Sequence, residues 1–363
     1  EGDVRLRSMI ETLEFGRQRG WIQIVCGHIG RKPEGSLSKV ATRLGELLET
    51  RIPLVEDWLD EEAMEVAPAV REAGAAAVVG DVIVLENTRK YDVERLLWKA
   101  KESDLPGVCE RLATFANLMA NELAEVYVHE AFSAGSLDTS SVVLPAAMRR
   151  AVLGNYAYGQ FDGPMRRCLD TELVVFSGLK IDKLDDLEAM IARGKIRKVI
   201  SAGSLAMTLK RAAAELDGET FCLGVAEDPG HADKPYYIPR ERIDQARMMI
   251  EAGRKSGIEF VLPVDFVLGD GRVAETLGPE DQQFDVGPAS SELCSNAVGA
   301  FIAEAKARQG APAVAFHNGV FGMFEDERFE EGTRRFIGEL RRMHDAGVEV
   351  YVGGGEGGKA LER

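Results

Sequence analysis

A chain of 363 residues with 45% hydrophobic and 29% charged side chains can build packed cores, which excludes a disordered polymer. At this length two domains are the expectation. A net charge of −16 disfavours nucleic acid as a partner, although a local basic pocket still suits a phosphate. The five cysteines are odd in number, irregularly spaced and free of any CxxC pair, which points away from a disulfide framework or structural zinc. No run of 18 apolar residues occurs, so no membrane span is expected. The opening Glu1-Gly2-Asp3-Val4-Arg5 has no initiator Met, apolar core or cleavage site. It reads as the start of a processed or shortened version of a longer chain.

In chain order, the first elements are a strand over Ile22–Cys26, a helix over Leu37–Thr50, a strand over Asp81–Leu85, a helix around Val108–Leu123 and a strand over Glu125–Val128. A strand-poor stretch at about 144–170 follows, carrying Arg149, Arg150, Arg166 and Arg167. Beyond it, Leu173–Phe176, Lys198–Ser201, Thr220–Leu223, Glu259–Val264, Ala313–Phe316 and Val348–Val352 read as strands. Helices such as Asp182–Ala192 and Ser204–Leu216 stand between them. Strands separated by helices of this length imply βαβ units and parallel sheets. Val82-Ile83-Val84-Leu85 is apolar at every position, as in a strand covered on both faces.

Ligands of open parallel sheets bind beyond the carboxyl ends of the strands. In the first half those ends carry His28 and Arg31 after one strand and Arg89 after another, while Arg5 stands before the first helix. Arginine suits a phosphate or carboxylate because its planar fork donates two parallel hydrogen bonds. In the second half the strand ends carry Ser177-Gly178-Leu179-Lys180, Ser201-Ala202-Gly203, Asn318-Gly319-Val320-Phe321-Gly322 and Gly353-Gly354-Gly355-Glu356-Gly357-Gly358. Glycine lets backbone N–H groups approach a phosphate or an adenine ring closely. Lys180 would supply a point charge for a transferred phosphoryl group, and Glu356 would hold Mg²⁺ together with phosphate oxygens.

Gly353–Lys359 fits G-x-x-x-x-G-K, but Ala360 follows where Ser or Thr is required. Gly353, Gly355 and Gly358 also fit G-x-G-x-x-G, yet no acidic residue lies about twenty positions on. Neither standard nucleotide motif applies. His129-Glu130 has no second His at ligand spacing, and no G-x-S-x-G elbow or flanked cysteine supports covalent hydrolysis.

Taken in order, the loops resemble those of phosphoglycerate kinase from end to end. His28-Ile29-Gly30-Arg31 resembles that family's HLGR, Leu85–Arg89 its LENxR, Val126–Phe132 its VYVNDAF and Gly178-Leu179-Lys180-Ile181 its GAKV. Leu262-Pro263-Val264-Asp265 is its LPVD, and Phe284–Pro288 resembles D-x-GP. Asn318–Glu325 resembles NGPxGxFE, with Gly332-Thr333 following, and Val352–Glu356 resembles GGGDT. The resemblance implies an α/β fold of two Rossmann-like lobes with mainly parallel sheets, joined by a hinge helix that closes on the substrates. The lobe at 1–150 would hold the acid, 151–170 the hinge, and 171–363 the nucleotide, with the extreme C-terminus packing back on the first lobe.

The implied activity moves a phosphoryl group between Mg-ATP or Mg-ADP and a small-molecule carboxylate, with 3-phosphoglycerate the first candidate. Arg5 would steady the carboxyl and moving phosphoryl; His28, Arg31 and Arg89 would bind the acid; Lys180 would assist transfer. Gly178, Lys180, Gly203, Asn318, Gly319, Glu325, Gly354, Gly355 and Glu356 would serve the nucleotide, with Glu356 the metal ligand. A monomeric, cytoplasmic, glycolytic enzyme is the expectation, with no nucleic-acid or membrane partner.

The chain departs from the family pattern at several points. Leu137 stands where a substrate arginine belongs, and Leu184 where a second lysine belongs, with Lys183 one residue out of register. Val320 replaces a proline, Glu356 an aspartate and Gly357 a threonine. The family's first strand and its terminal glycine-rich segment have no counterpart in the chain. A kinase of a different carboxylic acid, or a non-catalytic nucleotide- or partner-binding relative, stays open at this point.

Overall fold

The computed structural model describes residues 3–132, 137–179 and 181–361. The chain divides into two compact units, residues 1–163 and 164–363. The division falls within a π-helical turn, Phe161–Met165, which carries Gly163 and Pro164. Among the described residues no helix is long and apolar enough to cross a membrane.

The first unit is built on a parallel sheet in the order Gln23–Val25, Val82–Leu85, Leu54–Val55. Val82–Leu85 is central and buried at all four positions. Its alternate side chains serve two cores. Val82 and Val84 pack with Leu13 from helix Val4–Gln18, with Ala41 and Leu44 from helix Ser38–Leu47, and with Leu37 just before the latter. Ile83 and Leu85 face Trp58, Phe115 and Met119, the last two from helix Leu105–Glu122. The uninterrupted apolar run is therefore the mark of a strand with no solvent face.

Two expectations change in this unit. Arg5 does not precede the first helix but lies in the first turn of Val4–Gln18. The strand-poor stretch contains a strand, Arg150–Leu153, paired in parallel with Val126–His129. Its Ala151-Val152-Leu153 run is apolar but all four residues are exposed, so the strand lies outside the two-faced core pattern by which the other strands were read.

The second unit holds a five-stranded parallel sheet ordered Glu259–Val261, Lys198–Ser201, Thr171–Phe176, Val314–Asn318, Glu349–Gly353. One face, with Val174, Phe176 and Val199, is covered by helices Lys183–Ala192, Gly203–Leu216 and Arg240–Lys255. The other, with Leu173, Val175 and Ala315, is covered by Pro288–Ala307 and Glu331–Asp345. An antiparallel sheet of Val273–Ala274, Phe266–Leu268 and Gln283–Val286 adjoins it in sequence.

Thr220–Leu223 is not a strand. Its backbone groups find side chains instead: the Arg211 guanidinium donates to the Phe221 carbonyl at 2.6 Å, and the Leu223 N–H donates to Glu227 at 3.0 Å. Phe221 and Leu223 are buried, so the segment fills the core without joining the ladder. Leu262–Asp265 and Phe284–Pro288 act in folding. The Asp265 carboxylate accepts from the Ala289 N–H at 3.0 Å and the Ser290 N–H at 2.7 Å, capping helix Pro288–Ala307.

Candidate functional site

The two units carry two separate clusters beyond their strand ends. In the first unit, Glu86 and Asn87 tie the loop after Val82–Leu85 to the loop after Gln23–Val25. The Glu86 carboxylate accepts from the N–H groups of Leu37 and Asn87 at 2.6 and 2.7 Å and from the Ser36 hydroxyl at 2.7 Å. Burial pushes its pKa up, but those donors outweigh burial and hold the carboxyl below its ordinary range. The Asn87 amide donates to the Gly35 carbonyl at 2.8 Å, so the 28–35 loop is pinned against the strand end.

The cations of this cluster differ in availability. Arg89 is buried, and its guanidinium donates through Nε and Nη2 to the two Asp138 oxygens at 3.0 and 2.9 Å. Its Nη1 donates to the Gly30 carbonyl at 2.5 Å, and its face lies 4.6 Å from the Trp98 ring centre. Trp98 Nε1 donates to the same Asp138 carboxylate at 3.0 Å. His28 is half-buried, with Nδ1 3.9 Å from Asp138. Burial lowers its pKa first, the Arg89 charge lowers it further, Asp138 opposes, and Arg5 adds a smaller lowering. Arg5 therefore lies within electrostatic reach of His28. Arg5 and Arg31 are exposed, and Leu137 is 54% exposed.

Beneath the pair lies Glu94, 1% exposed, accepting from the Ser140 hydroxyl at 2.5 Å and its N–H at 2.9 Å. Burial raises its pKa to about 7, and Asp138 contributes in the same direction. Sequence reasoning missed Asp138, Trp98 and Glu94. None has a motif of its own; Asp138 and Trp98 join the site through tertiary pairing with Arg89, and Glu94 through its charge beside Asp138.

In the second unit the strand order reverses between Thr171–Phe176 and Val314–Asn318, which places a crevice at their carboxyl ends. The loops after four strands meet there. Gly203 has φ +68°, and a Cβ on it would lie 2.7 Å from the Gly178 carbonyl oxygen. Gly319 has φ +112°, and a Cβ would lie 2.1 Å from the Ser177 carbonyl oxygen. Only glycine meets both demands, a left-handed backbone and a neighbouring main chain at contact distance. A Cβ on Gly354 would reach the Asn318 side chain at 2.8 Å, and one on Gly178 would stand 3.9 Å from Glu356. Gly178, Gly203, Asn318, Gly319, Gly354 and Glu356 thus come together, and Gly355 opens the helix Gly355–Leu361 that follows the last loop.

Lys180 lies outside the described residues. Lys183, one residue out of register in sequence, is brought to the cluster: its Nζ donates to the Ser177 carbonyl at 2.6 Å and the Asn318 carbonyl at 3.2 Å. Leu184 turns into the core at 0% exposure. The Lys183 signal was present in sequence, but strict alignment hid it. Glu325 is exposed on the segment after Asn318-Gly319, and among the described residues no hydrogen bond or ion pair ties it to the four loops. That segment is shaped by Thr333, whose hydroxyl accepts from the Phe321 and Gly322 N–H groups at 3.0 and 3.3 Å.

Beside the loops, Leu179, Met207, Leu223, Val225, Tyr236 and Ile238 line an apolar pocket whose rim carries Ser204 and Gln283. Its apolar lining suits the face of a heteroaromatic ring. Among the described residues no three His, Cys, Asp or Glu side chains converge to hold a metal. Glu356, exposed at the loops, fits a cation that takes one protein carboxylate and draws its other oxygens from phosphates and water.

The comparisons with known proteins run the length of the chain. The sequence profile of the family described as phosphoglycerate kinase matches residues 1–363. The phosphoglycerate kinase of Geobacter metallireducens is 25% identical over 381 aligned positions, covering 99% of this chain and 82% of that protein. That of Desulfotalea psychrophila is 28% identical over 386 positions, covering 99% and 83%. The crystal structure of phosphoglycerate kinase from Pyrococcus horikoshii superposes with a TM-score of 0.72 at 21% identity, covering 99% of this chain and 83% of that one.

Proposed function

We infer that this chain, which belongs to the phosphoglycerate kinase family, transfers a phosphoryl group between ATP or ADP and the carboxylate of a small acid. The observation that carries the reading is the meeting of four glycine-bearing strand ends and Lys183 at the crevice of the second unit. In this reading residues 171–363 hold the nucleotide, residues 1–150 hold the acid, and 151–170 form the hinge. The base enters the apolar pocket by Leu179 and Met207. The phosphates lie against Gly178, Gly203, Gly319, Gly354 and Gly355. Asn318 and Glu325 complete the nucleotide side.

Glu356 would hold Mg²⁺, which when bound neutralises phosphate charge. Lys180 meets the charge on the moving phosphoryl group, as a preorganised cation would. Arg5 steadies the acid's carboxylate, with His28, Arg31 and Arg89 around it. The acid's oxygen attacks the terminal phosphorus, the bond to the departing diphosphate breaks, and an acyl phosphate forms without a covalent enzyme intermediate. The reacting atoms must approach to about 3–3.5 Å, which is the task of hinge closure. 3-Phosphoglycerate is the first acid to test, in a monomeric cytoplasmic enzyme of glycolysis.

The test is ATP consumption across a panel of carboxylic acids, with hydroxylamine trapping the acyl phosphate as a hydroxamate. Acid-dependent hydroxamate formation is the expected result. ATP binding without turnover on any acid would replace this reading with a non-catalytic nucleotide-binding one.

A further inference from the structure

We propose that Asp138 sets the substrate class of the first unit: its carboxylate fills the guanidinium fork that a substrate phosphate would need, so the pocket accepts a short carboxylic acid without a second anionic group. The proposal rests on the acid-binding reading above and narrows it.

Arg89 is the cation best placed to grip a phosphate with two parallel bonds, since it leaves a strand end beside His28. Both parallel bonds are already made, to the Asp138 oxygens at 3.0 and 2.9 Å. The side chains are 6% and 0% exposed, so the pair is a fixed part of the core and no surface contact that solvent would loosen. Trp98 holds the pair from two sides, donating Nε1 to the carboxylate at 3.0 Å and stacking on the guanidinium at 4.6 Å. Asp138 also opens the helix Thr139–Val142, its carbonyl accepting from the Ser141 and Val142 N–H groups at 2.9 and 3.0 Å. A swing of the side chain outward would strip three hydrogen bonds at once, two from Arg89 and one from Trp98.

The charge around the pocket follows. His28 Nδ1 stands 3.9 Å from the same carboxylate, and burial together with the Arg89 charge disfavours its protonated form, so His28 adds no full positive charge near neutral pH. Leu137, beside Asp138, is exposed and brings no donor. Of the predicted acid-binding cations, Arg5 and Arg31 are the exposed ones. Two guanidinium groups match one carboxylate. A phosphate dianion added to them would meet the Asp138 charge in a poorly solvated site, with its oxygens short of donors. A short hydroxy acid such as glycerate has the carboxylate and lacks the phosphate.

The experiment titrates the full chain, its nucleotide loops filled with excess non-hydrolysable ATP analogue, calorimetrically with glycerate and with 3-phosphoglycerate, and follows inorganic phosphate by ³¹P line broadening. The same is done for Asp138→Asn and Asp138→Ala, whose folds are checked by circular dichroism. In the wild type, glycerate should bind as tightly as 3-phosphoglycerate, and phosphate should show no saturable binding. Freeing the Arg89 fork should improve 3-phosphoglycerate over glycerate by about tenfold or more and create saturable phosphate binding. A wild type that prefers 3-phosphoglycerate by about tenfold overturns the proposal even if neither variant folds. If the wild type binds neither acid while still binding ATP, the acid-kinase reading fails. The phosphate arm then decides alone: gain of phosphate binding in Asp138→Asn sustains the closed fork, and no gain overturns it.

Discussion

The two units present anion-binding apparatus of opposite kinds. In the first, the strongest cation is neutralised by the protein's own carboxylate, within a buried network of Arg89, Asp138, Trp98 and Glu94. In the second, the apparatus is main chain: glycines packed against the neighbouring loop's backbone, with Lys183 bonded to carbonyls of two loops. A site made of side-chain charge changes its ligand when one residue changes. A site made of backbone contacts tolerates side-chain drift but not the addition of a Cβ. The departure at Leu137 falls in the first kind of site and removes a charge; those at Leu184, Val320, Glu356 and Gly357 fall in the second, where Gly178, Gly203, Gly319 and Gly354 still supply the main-chain contacts.

Breaking the buried pair should have the largest effect. Arg89→Met leaves Asp138 buried and uncompensated, and the first unit should lose about 3–5 kcal/mol, read as a lower urea midpoint. Removing Lys180 tests the other unit. Lys180→Ala should raise the barrier to phosphoryl transfer by about 2.7–4 kcal/mol, with ATP affinity changed little. Wild-type turnover in that variant would exclude the role.

The acidic network also predicts a pH dependence. The Glu94 carboxyl titrates at about 7 in the folded protein against an ordinary 4.5, so the native state holds the extra proton between those values. Stability should therefore fall as pH rises through that window and level off above it, by on the order of 3 kcal/mol. Asp285, raised by burial to about 6, acts in the same direction, while His317, lowered by burial to about 4, acts in the opposite one. Glu94→Gln isolates the first contribution: its stability should match wild type near pH 5 and exceed it near pH 8. Equal slopes in the two proteins would assign the dependence elsewhere.

Gly203→Ala sharpens the contrast with the backbone site. The left-handed φ and the 2.7 Å approach to Gly178 should cost about 1–3 kcal/mol of stability, and ATP affinity should fall with it. Arg31→Met should be the mildest. The residue is exposed, so the urea midpoint should stay within about 0.5 kcal/mol of wild type, while calorimetry should show weaker acid binding.

Much of this was legible in the chain. Val82–Leu85 and Leu173–Phe176 are apolar at successive positions because helices cover both faces, and that pattern identified the parallel sheets. The four glycine loops were legible because strand ends of parallel sheets project to one edge. The failures have equally local causes. Thr220–Leu223 has the composition of a strand, but Arg211 and Glu227 take its backbone bonds. Arg150–Leu153 is a strand with no buried face. Arg89 reads in sequence as an open cation, and its neutralisation depends on a residue 49 positions away. Lys183 was set aside by register, yet a long flexible side chain reaches the loops from an adjacent position.

The strand order of the second unit has a consequence for how the chain acquires its structure. Thr171–Phe176, Lys198–Ser201 and Glu259–Val261 are consecutive partners and can pair as the polypeptide emerges. The other flank of Thr171–Phe176 is met only by Val314–Asn318, after the intervening antiparallel sheet and the helix Pro288–Ala307 have been made. Until then a strand whose last four residues, Leu173–Phe176, are all apolar offers an unpaired edge, the kind of surface that recruits other chains. Non-local parallel pairing is slow because loop closure precedes its reward. Synthesis and refolding of this unit should therefore pass through an aggregation-prone stage that ends when Val314–Asn318 docks, the same event that assembles the crevice.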